Sequence, residues 1–216
     1  MSMPYPEHTT YHRLYERFFQ TERNEQLLAP AGNLEGKNVA DLCGGGGRLS
    51  RAALARGARV TLVDESVPMT QAAPAGITVV YRDMVTWLQS FGMGPEFDAM
   101  FCQQAVNYWL SREVVSDLAD RLKPGGVFVF NTFNRKPPEI PKVLQYEVDG
   151  VSFVEVSWLT KAGMVEHVQV REGEPPHTTR FKWISPEDYR AWLGSDFDLH
   201  EEVMGGSSVW TCTKKS

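Results

Sequence analysis

The stretch that decides the fold is VADLCGGGGRLS, which runs from Val39 to Ser50. Its first residues are mostly apolar and predict a short buried strand. Four consecutive glycines, 44–47, follow, and apolar residues at helical spacing then predict a helix that ends at Gly57. A strand that enters a helix through glycines lets a ligand approach bare backbone, with amide groups pointing at it. The stretch therefore predicts a ligand-binding loop, with a tight strand-to-helix turn that binds no ligand as the alternative.

The same alternation continues along the next hundred residues. Further apolar strands are predicted at 60–63, 77–81, 97–102 and 127–130, with helices at 84–91 and 114–122. Strands that are apolar on both faces and alternate with helices indicate a parallel sheet that is covered on both sides. We therefore expect an α/β fold with a doubly wound, mostly parallel sheet.

The pattern changes after about residue 137. Alternating residues and a turn at Asp149-Gly150 predict a hairpin, and further strand candidates follow, so that a β-rich insert is expected at 138–185. Ser185-Pro186-Glu187-Asp188 predicts a helix start, because it combines a hydroxyl cap, an early proline and acidic residues. Two last strands around Gly205-Gly206 predict a closing hairpin. We expect one domain over 1–216.

Composition and charge limit the partners that the chain can have. Its 216 residues include 22 Lys and Arg against 27 Asp and Glu, which gives a net charge of −5. With no basic run, the chain is not expected to bind nucleic acid. No apolar run is long and unbroken enough to cross a membrane, and the N-terminal residues do not resemble a secretory signal. Cys43, Cys102 and Cys212 are few and far apart, as is typical of reduced thiols in a cytoplasmic protein. The oligomeric state stays open.

Asp64, at the end of the second strand, is the first candidate residue for recognising a cofactor. A carboxylate in that position offers two acceptor oxygens to the two hydroxyls of a ribose. Nicotinamide dinucleotides and S-adenosylmethionine both carry this diol, so Asp64 does not separate them. A dinucleotide site requires GxGxxG; Gly45 and Gly47 fit its first two glycines, but Ser50 stands in the third position.

Four further features favour S-adenosylmethionine. Asp41 lies just before the glycines, TLVDES contains Asp64, Asp83 follows the third strand, and LKPGGVFVF leads into the fifth. With these features the sequence resembles the class I S-adenosylmethionine-dependent methyltransferases, in particular bacterial small-molecule enzymes whose loop reads DLCCGTGR or DLGCGTG. The resemblance spans about residues 11–134 and resumes weakly at HTTRFKWISPEDYRAWL. It implies a Rossmann-like, seven-stranded sheet and methyl transfer to nitrogen or oxygen of a small molecule.

The resemblance also implies roles for individual residues of the cofactor site. Asp41 and the backbone from Cys43 to Gly47 would hold the methionine end of the cofactor. The ribose would contact Asp64 and the adenine would lie near Glu65, Asp83 and the Met84 backbone, while the Gln103 carbonyl would bind the methionine ammonium. The implied cofactor set is Tyr11, Tyr15, Asp41, Cys43, Gly44, Gly45, Gly47, Asp64, Glu65, Asp83, Met84 and Gln103.

The sequence departs from the family pattern in the glycine loop and beyond it. Cys43 stands in the place of the first family glycine, so its backbone is expected to use ordinary dihedral angles. Gly46 replaces the usual threonine, and Pro74 interrupts the helix that follows Asp64. None of these changes removes the chemistry that the cofactor needs.

The sequence predicts the acceptor site less specifically than the cofactor site. By resemblance, His177, which precedes the last helix, is the candidate general base, and a surface histidine at the end of a hairpin is the alternative. Asn107, Tyr108 and Asn131 follow the fourth and fifth strands and are the candidate acceptor residues, with capping and turn formation as the alternative. Gln103, Gln104 and Asn131 occupy strand ends where a metal site would need carboxylates, so no metal is expected.

Residues 1–30 are expected to form a helical lid. By resemblance, Tyr11 and Tyr15 would close over the cofactor, although their helical spacing is equally compatible with packing. Two alternative functions stay open besides small-molecule methylation. A methyltransferase of the same fold could act on RNA or protein, and a non-catalytic protein could bind S-adenosylmethionine.

Overall fold

The structure is a computed structural model that describes residues 21–216 with the exception of 91–93, 95, 149, 174 and 205. Tyr11, Tyr15 and the first 20 residues of the expected lid lie outside the described residues. The prediction of a lid therefore stays a prediction. The last ten residues of that segment include a helix, α1, over Thr21–Leu28.

Seven α-helices and eleven strands make up the described part of the chain. The helices are α1 (Thr21–Leu28), α2 (Arg48–Leu54), α3 (Val67–Thr70), α4 (Met84–Leu88), α5 (Val106–Trp109), α6 (Val115–Arg121) and α7 (Pro186–Leu193). The strands are β1 (Asn38–Leu42), β2 (Arg59–Asp64), β3 (Thr78–Tyr81), β4 (Phe97–Gln103), β5 (Leu122–Phe133), β6 (Lys142–Val148), β7 (Val151–Leu159), β8 (Met164–Arg171), β9 (His177–Lys182), β10 (Phe197–Met204) and β11 (Ser207–Lys214). Short 3₁₀ turns occupy Ala29–Ala31 and Arg112–Val114.

The main sheet has seven strands in the order β10-β11-β5-β4-β1-β2-β3. The five strands from β1 to β5 are parallel, and the β10–β11 hairpin adds two antiparallel strands at the β5 edge. The chain winds outward from β1 to β3, crosses back and continues through β4 and β5. This confirms the doubly wound, mostly parallel seven-stranded sheet. Such sheets bind ligands at the carboxyl ends of their strands, where the winding direction reverses between β1 and β4.

Buried residues on both faces explain why the sheet is covered on both sides. Alternate residues of β4 belong to different apolar clusters: Met100 packs with Phe128 and Phe130, while Phe101 packs with Val129. Because successive side chains of a strand point to opposite faces, each cluster lies on one side of the sheet. The apolar runs recognised in the sequence are therefore buried on both faces.

Strand β5 is longer than the sequence predicted. We expected 127–130, whereas the strand runs from Leu122 to Phe133. Its extension to Phe133 follows from β11, which pairs antiparallel with residues 127–133. This pairing depends on residues about 80 positions away, so no local pattern indicates it.

The β-rich insert is a second sheet of four antiparallel strands in the order β6-β7-β8-β9. The carbonyl oxygen of Lys182, at the end of β9, accepts a hydrogen bond of 3.1 Å from the side chain of Asn107, which follows β4. The second sheet is thereby joined to the carboxyl edge of the main sheet. That the whole chain folds as one domain stays a prediction.

Helix α7 begins as its sequence predicted. The Ser185 hydroxyl accepts a hydrogen bond from the Asp188 amide, and the Asp188 carboxylate accepts one from the Ser185 amide. This reciprocal capping satisfies two of the amide groups that a helix start leaves without partners. Among the described residues, no helix is both long and apolar enough to cross a membrane.

Candidate functional site

The glycine loop after β1 is tightly constrained. A Cβ atom at Gly44 would lie 2.8 Å from the carboxyl group of Asp41 and 2.8 Å from Leu62, so no larger residue fits. Gly45 and Gly47 adopt left-handed backbone angles, with φ of 51° and 71°. The glycines are thus required both by space and by backbone conformation, as expected for a loop that presents its amides to a ligand.

The prediction for the backbone of Cys43 was wrong. Its φ is 54°, in the left-handed region, where ordinary side chains are rare. The Cys43 and Gly44 amides both donate to the carbonyl oxygen of Val63, at 2.8 and 3.4 Å, so the chain turns sharply over β2 as it leaves β1. This tertiary contact holds the cysteine in a conformation that its sequence pattern does not favour.

The Cys43 thiol is placed as a packing group rather than as a nucleophile. It packs against the buried cluster that contains Cys102. The neighbouring Cys102 thiol and burial together hold the pKa of Cys43 well above its ordinary value. A protonated thiol is a poor nucleophile, so this cysteine is not suited to covalent catalysis.

Asp41 fastens the loop to the first turn of α2. Its Oδ2 atom accepts hydrogen bonds from the Ser50 amide at 2.9 Å and from the Ser50 hydroxyl at 2.7 Å. Burial raises the pKa of Asp41 to about 6, although both bonds from Ser50 oppose the increase. The residue that broke the dinucleotide motif, Ser50, is therefore the partner that stabilises the buried carboxylate.

Asp64 stands at the carboxyl end of β2 and closes the loop from the other side. Its Oδ2 accepts a hydrogen bond of 2.9 Å from the Gly45 amide, and its Oδ1 accepts one of 2.8 Å from the Ser66 amide. Burial raises the pKa of this carboxyl group, against the effect of these bonds. The carboxylate is half-buried and adjacent to the glycines, which is the position that the ribose contact requires.

The ends of β4 and β5 form the opposite wall of the loop. Gln103 accepts a hydrogen bond of 3.1 Å from the guanidinium of Arg48, the first residue of α2. Gln104 has a φ of 58°, and its backbone amide donates a hydrogen bond of 2.9 Å to the side-chain oxygen of Asn131. Cys43 and Gln104 are the two non-glycine residues in left-handed conformations within the described part of the chain. Both follow neighbouring strands, and such strain is typical of functional sites.

The residues predicted to approach the adenine lie at the next strand ends. Asp83 is exposed and caps α4, with its Oδ1 accepting from the Thr86 amide at 2.9 Å and from the Thr86 hydroxyl at 3.0 Å. Met84 is buried, and Glu65 is exposed directly after Asp64. Their roles toward a cofactor stay predictions.

Asn107 connects the two sheets. Besides the bond to Lys182, its Oδ1 accepts a hydrogen bond of 2.8 Å from Thr132, whose hydroxyl also lies 3.3 Å from that of Tyr189. All three side chains of this network are less than one-tenth exposed. Burial raises the pKa of Tyr189 well above its ordinary value, so its hydroxyl stays protonated. The predicted acceptor role of Asn107 is untested, and its contacts position the second sheet.

Three aromatic rings line the junction between the sheets. The ring of Phe181, on β9, lies 5.5 Å from that of Tyr108 and 6.3 Å from that of Phe133. Tyr108 and Phe133 remain 43% and 51% exposed. Large exposed aromatics beside a strained strand end are suited to contact a ligand. We call the space that these rings border the crevice.

His177 begins β9 and lies four residues before Phe181, about 13 Å away along the strand. Because four is an even number, both side chains point to the same face of the second sheet. Burial and the nearby His167 lower the pKa of His177 below its ordinary value. It is therefore neutral at pH 7, as a general base must be.

No group of three or more His, Cys, Asp or Glu side chains is placed to hold a metal ion within the residues that the structure describes. Gln103 and Asn131, at the strand ends, bind protein groups instead.

Two residues of the candidate site, Arg48 and Phe133, were not predicted from the sequence. Arg48 could have been noticed as the only cation directly after the glycines. Phe133 lies three residues beyond the predicted end of its strand, so its position became visible only once β11 paired with β5.

Comparisons with known proteins agree with this geometry. Residues 39–126 match the family described as methyltransferase domain. A ubiquinone biosynthesis O-methyltransferase of Pseudomonas syringae pv. tomato is 32% identical over 128 residues, which cover 56% of this chain and 53% of that protein. The chain thus spans about half the length of the curated relatives that it matches. These findings confirm the resemblance drawn from the sequence.

Solved structures extend the likeness over nearly the whole chain. An S-adenosylmethionine-dependent methyltransferase of Clostridium acetobutylicum superposes with a TM-score of 0.74 at 16% identity, covering 96% of this chain and 97% of that one. An amino pentose methyltransferase of Micromonospora echinaspora, bound to its cofactor, reaches 0.73 at 18% identity, with 99% and 100% coverage. At such identities these likenesses show the fold.

Proposed function

Because residues 39–126 match the methyltransferase-domain family, we propose that this protein transfers a methyl group from S-adenosylmethionine to oxygen or nitrogen of a small acceptor. The observation that carries the proposal is the loop between β1 and α2, where Gly44 has no room for a Cβ atom and the Gly45 amide donates to the Asp64 carboxylate. Solved proteins of the same fold are S-adenosylmethionine-dependent methyltransferases, which supports the choice of cofactor.

The residues present suit that cofactor. S-adenosylmethionine supplies a methyl group on a positively charged sulfur, which transfers once a nucleophile is aligned with it. Asp64 offers acceptor oxygens for the ribose hydroxyls, and the loop from Cys43 to Gly47 lets backbone approach the methionine end closely. Glu65, Asp83 and Met84 would border the adenine, and the Gln103 carbonyl would bind the ammonium.

The acceptor would bind between the sheets, against Tyr108, Phe133 and Phe181. The exposed rings offer an apolar wall, and His177 shares a sheet face with Phe181. His177 is neutral at pH 7 and would accept the proton of a hydroxyl acceptor that extends from Phe181 toward it, about 13 Å along the strand. Asn131 and Tyr108 would contribute the polar groups that orient the acceptor, and no metal ion is required.

A small acceptor is favoured over RNA or protein. The net charge of −5 gives no attraction for a phosphate backbone. The curated relatives are named for ubiquinone biosynthesis, and one structural neighbour is named for an amino pentose, so both names denote small molecules. The three separated cysteines favour the cytoplasm as the location.

The experiment is calorimetric titration with S-adenosylhomocysteine, the demethylated cofactor. We expect micromolar affinity, and Asp64→Asn should weaken it about 10- to 100-fold because charge-assisted hydrogen bonds to the ribose are worth about 1.5–3 kcal/mol. Asp98→Asn is the matched control. The Asp98 carboxylate accepts a hydrogen bond of 2.8 Å from the Asn38 backbone amide, as the Asp64 carboxylate does from Gly45. Asp98, however, lies at the amino end of the sheet, away from the glycine loop. Asp98→Asn should leave the affinity unchanged.

Tight binding of NAD with no binding of S-adenosylhomocysteine would contradict the proposal. So would methylation of bulk RNA at physiological salt. A chain that binds S-adenosylhomocysteine yet methylates no member of a broad pool of phenols, amines and amino sugars would be a non-catalytic cofactor-binding protein.

A further inference from the structure

One face of the second sheet points toward the crevice. Antiparallel register places Phe181 opposite Val165 and Val165 opposite Leu159, so these three side chains share a face. Phe181 contacts Tyr108 and Phe133 at the crevice. We call this the crevice face; by alternation it also carries the side chains of His177, Gln169, Glu155 and Tyr146.

A polar cluster occupies the middle of the crevice face. The Oε1 atom of Glu155 accepts a hydrogen bond of 2.5 Å from the Tyr146 hydroxyl and another of 2.7 Å from the Gln169 amide. His177 stands opposite Gln169 in the register, so the candidate base lies in the same row. The cluster comes from three consecutive strands that are adjacent in the sheet.

Glu155 is held by neutral groups. Burial raises the pKa of Tyr146, with a further increase from Glu155, so the tyrosine stays a neutral donor. No Lys or Arg of the described chain forms an ion pair with Glu155. Its second oxygen, Oε2, accepts no hydrogen bond from the described residues. A half-buried carboxylate that forms no ion pair and has one oxygen without a hydrogen bond, as far as the described residues go, is suited to bind a cationic group of a ligand.

A glutamate on the other face of the same sheet has a cation beside it. Glu166 lies on β8 with its side chain 17% exposed, and it is paired with the Arg180 guanidinium at 2.7 Å. The register places Glu166 opposite Trp158, away from the crevice face. The register places the Arg171 side chain on the crevice face as well, opposite Phe153, but it forms no ion pair with Glu155. Among the described residues, the two glutamates therefore differ in having an ion-pair partner, and the one without such a partner faces the crevice.

The surroundings of Glu155 strengthen any charge interaction there. Phe153 precedes it by two residues on the same face, is 2% exposed and stacks on the Tyr146 ring at 5.4 Å. Val165 and Leu159 are also buried. Partial burial beside these apolar side chains lowers the effective dielectric constant, so a charge pair is stronger there than in water.

We propose that the acceptor carries a protonated amine and that the Glu155 carboxylate binds this ammonium on the crevice face. This inference rests on the proposed function. Gln169 and Tyr146 hold the carboxylate through Oε1, which leaves Oε2 toward the ammonium. The acceptor class is then an amine-bearing molecule whose body lies along the crevice face.

The experiment compares amines with alcohols of the same shape. Tyramine and tyrosol form one pair, and 6-amino-6-deoxyglucose and glucose form the other; alkyl amines of this kind are protonated at pH 7.5. Each compound is titrated into the protein saturated with S-adenosylhomocysteine. We expect the amine of at least one pair to bind about tenfold more tightly than its alcohol.

Variants then assign the preference to one carboxylate. Glu155→Gln should abolish it, whereas Glu155→Asp, which keeps the charge, should retain part of it. Glu166→Gln removes the same charge from the opposite face of the sheet and should leave the preference unchanged. If Glu155→Gln fails to fold, the Glu155→Asp variant and the wild-type comparison still decide the question.

Equal binding of amine and alcohol in both pairs would overturn the inference, as would an amine preference that survives in Glu155→Gln. Both results are separate from a failure of the proposed function, because saturation with S-adenosylhomocysteine is measured first. A protein that binds S-adenosylhomocysteine but ignores the amine would keep the proposed function and lose this inference.

Discussion

Replacing Ser50 with alanine should destabilise the protein by an amount that depends on pH. Ser50 donates two hydrogen bonds to Asp41, and the substitution removes the one from its hydroxyl, 2.7 Å long, while the amide bond at 2.9 Å remains. Both residues are at most 2% exposed, so water cannot replace the lost donor. The buried carboxylate would then be left with one hydrogen bond fewer.

The pKa of Asp41 determines whether the free energy of unfolding rises or falls with pH. Burial raises it from near 3.8 to about 6, so the folded protein holds a proton that the unfolded chain releases between pH 4 and 6. The free energy of unfolding therefore falls as pH rises through that interval, by about 3 kcal/mol for a shift of about two pH units. The Ser50 hydroxyl limits this loss because it stabilises the charged form.

The magnitude follows from the difference between charged and neutral hydrogen bonds. Above pH 7, where Asp41 is ionised, Ser50→Ala should cost about 2 kcal/mol, since bonds to charged groups are worth about 1.5–3 kcal/mol. Near pH 4.5 the carboxyl group is protonated, and the cost should be about 1 kcal/mol. The difference of about 1 kcal/mol corresponds to a further increase of nearly one unit in the pKa of Asp41.

The assay is urea unfolding between pH 4.5 and 8.5, followed by the fluorescence of the six tryptophans. Micromolar protein is needed because the pI is about 5.6 and solubility is lowest there. The same substitution in an Asp41→Asn background is the control, and its cost should no longer depend on pH. A cost that is equal at all pH values in the original background, or larger at acidic pH, would refute the reasoning.

Three further outcomes are expected. Gly44→Ala should cost about 1–3 kcal/mol and weaken S-adenosylhomocysteine binding, because its Cβ would lie 2.8 Å from the buried Asp41 carboxyl group. The control is Gly36→Ala: Gly36 has a φ of 68°, and a Cβ atom there would have no atom within 4 Å, so the substitution should cost about 1 kcal/mol of stability and leave binding intact. Calorimetry measures the binding and thermal unfolding the stability of both variants. Equal binding by the two would contradict the steric argument. Arg121 is 1% exposed and donates hydrogen bonds to the carbonyl groups of Trp87 and Leu88 at the end of α4, so Arg121→Met should lower the free energy of unfolding by about 2–4 kcal/mol. Arg121→Lys should recover only part of this loss, because an ammonium group lacks the planar guanidinium fork. Full recovery by Arg121→Lys in urea unfolding would argue against this geometry. Methyl transfer should proceed at the same rate with EDTA present, and a rate restored only by added magnesium would disprove a metal-independent reaction.

The sequence by itself determined the parallel sheet and the location of the cofactor loop. Apolar strand and helix periods are local properties, and the four glycines between a strand and a helix indicated the cofactor loop once Asp41, Asp64 and Asp83 were considered with them. Because parallel strands align their carboxyl ends, the residues after β1, β2 and β4 had to meet at one edge. Asp64 was identified for this reason, whereas the roles of Asp41 and Gln103 were implied by the resemblance to the class I methyltransferases.

Only the tertiary structure decided how that edge is arranged. The left-handed backbone of Cys43 depends on the Val63 carbonyl on the neighbouring strand, and the reach of Arg48 to Gln103 depends on the spacing of β1 and β4. Neither is encoded in a local pattern. Cysteine usually adopts ordinary backbone angles, and the hydrogen bond between Arg48 and Gln103 joins residues that are 55 positions apart.

The crevice face depends still more on tertiary structure. Tyr146, Glu155 and Gln169 are separated by 9 and 14 residues, and they meet only because of the register between β6, β7 and β8. A slip of one residue in either strand pair would turn its partner's side chains to the opposite face. Period-two alternation in a sequence predicts that a strand has two faces, but the hydrogen-bond register with its neighbours decides which side chains share one of them.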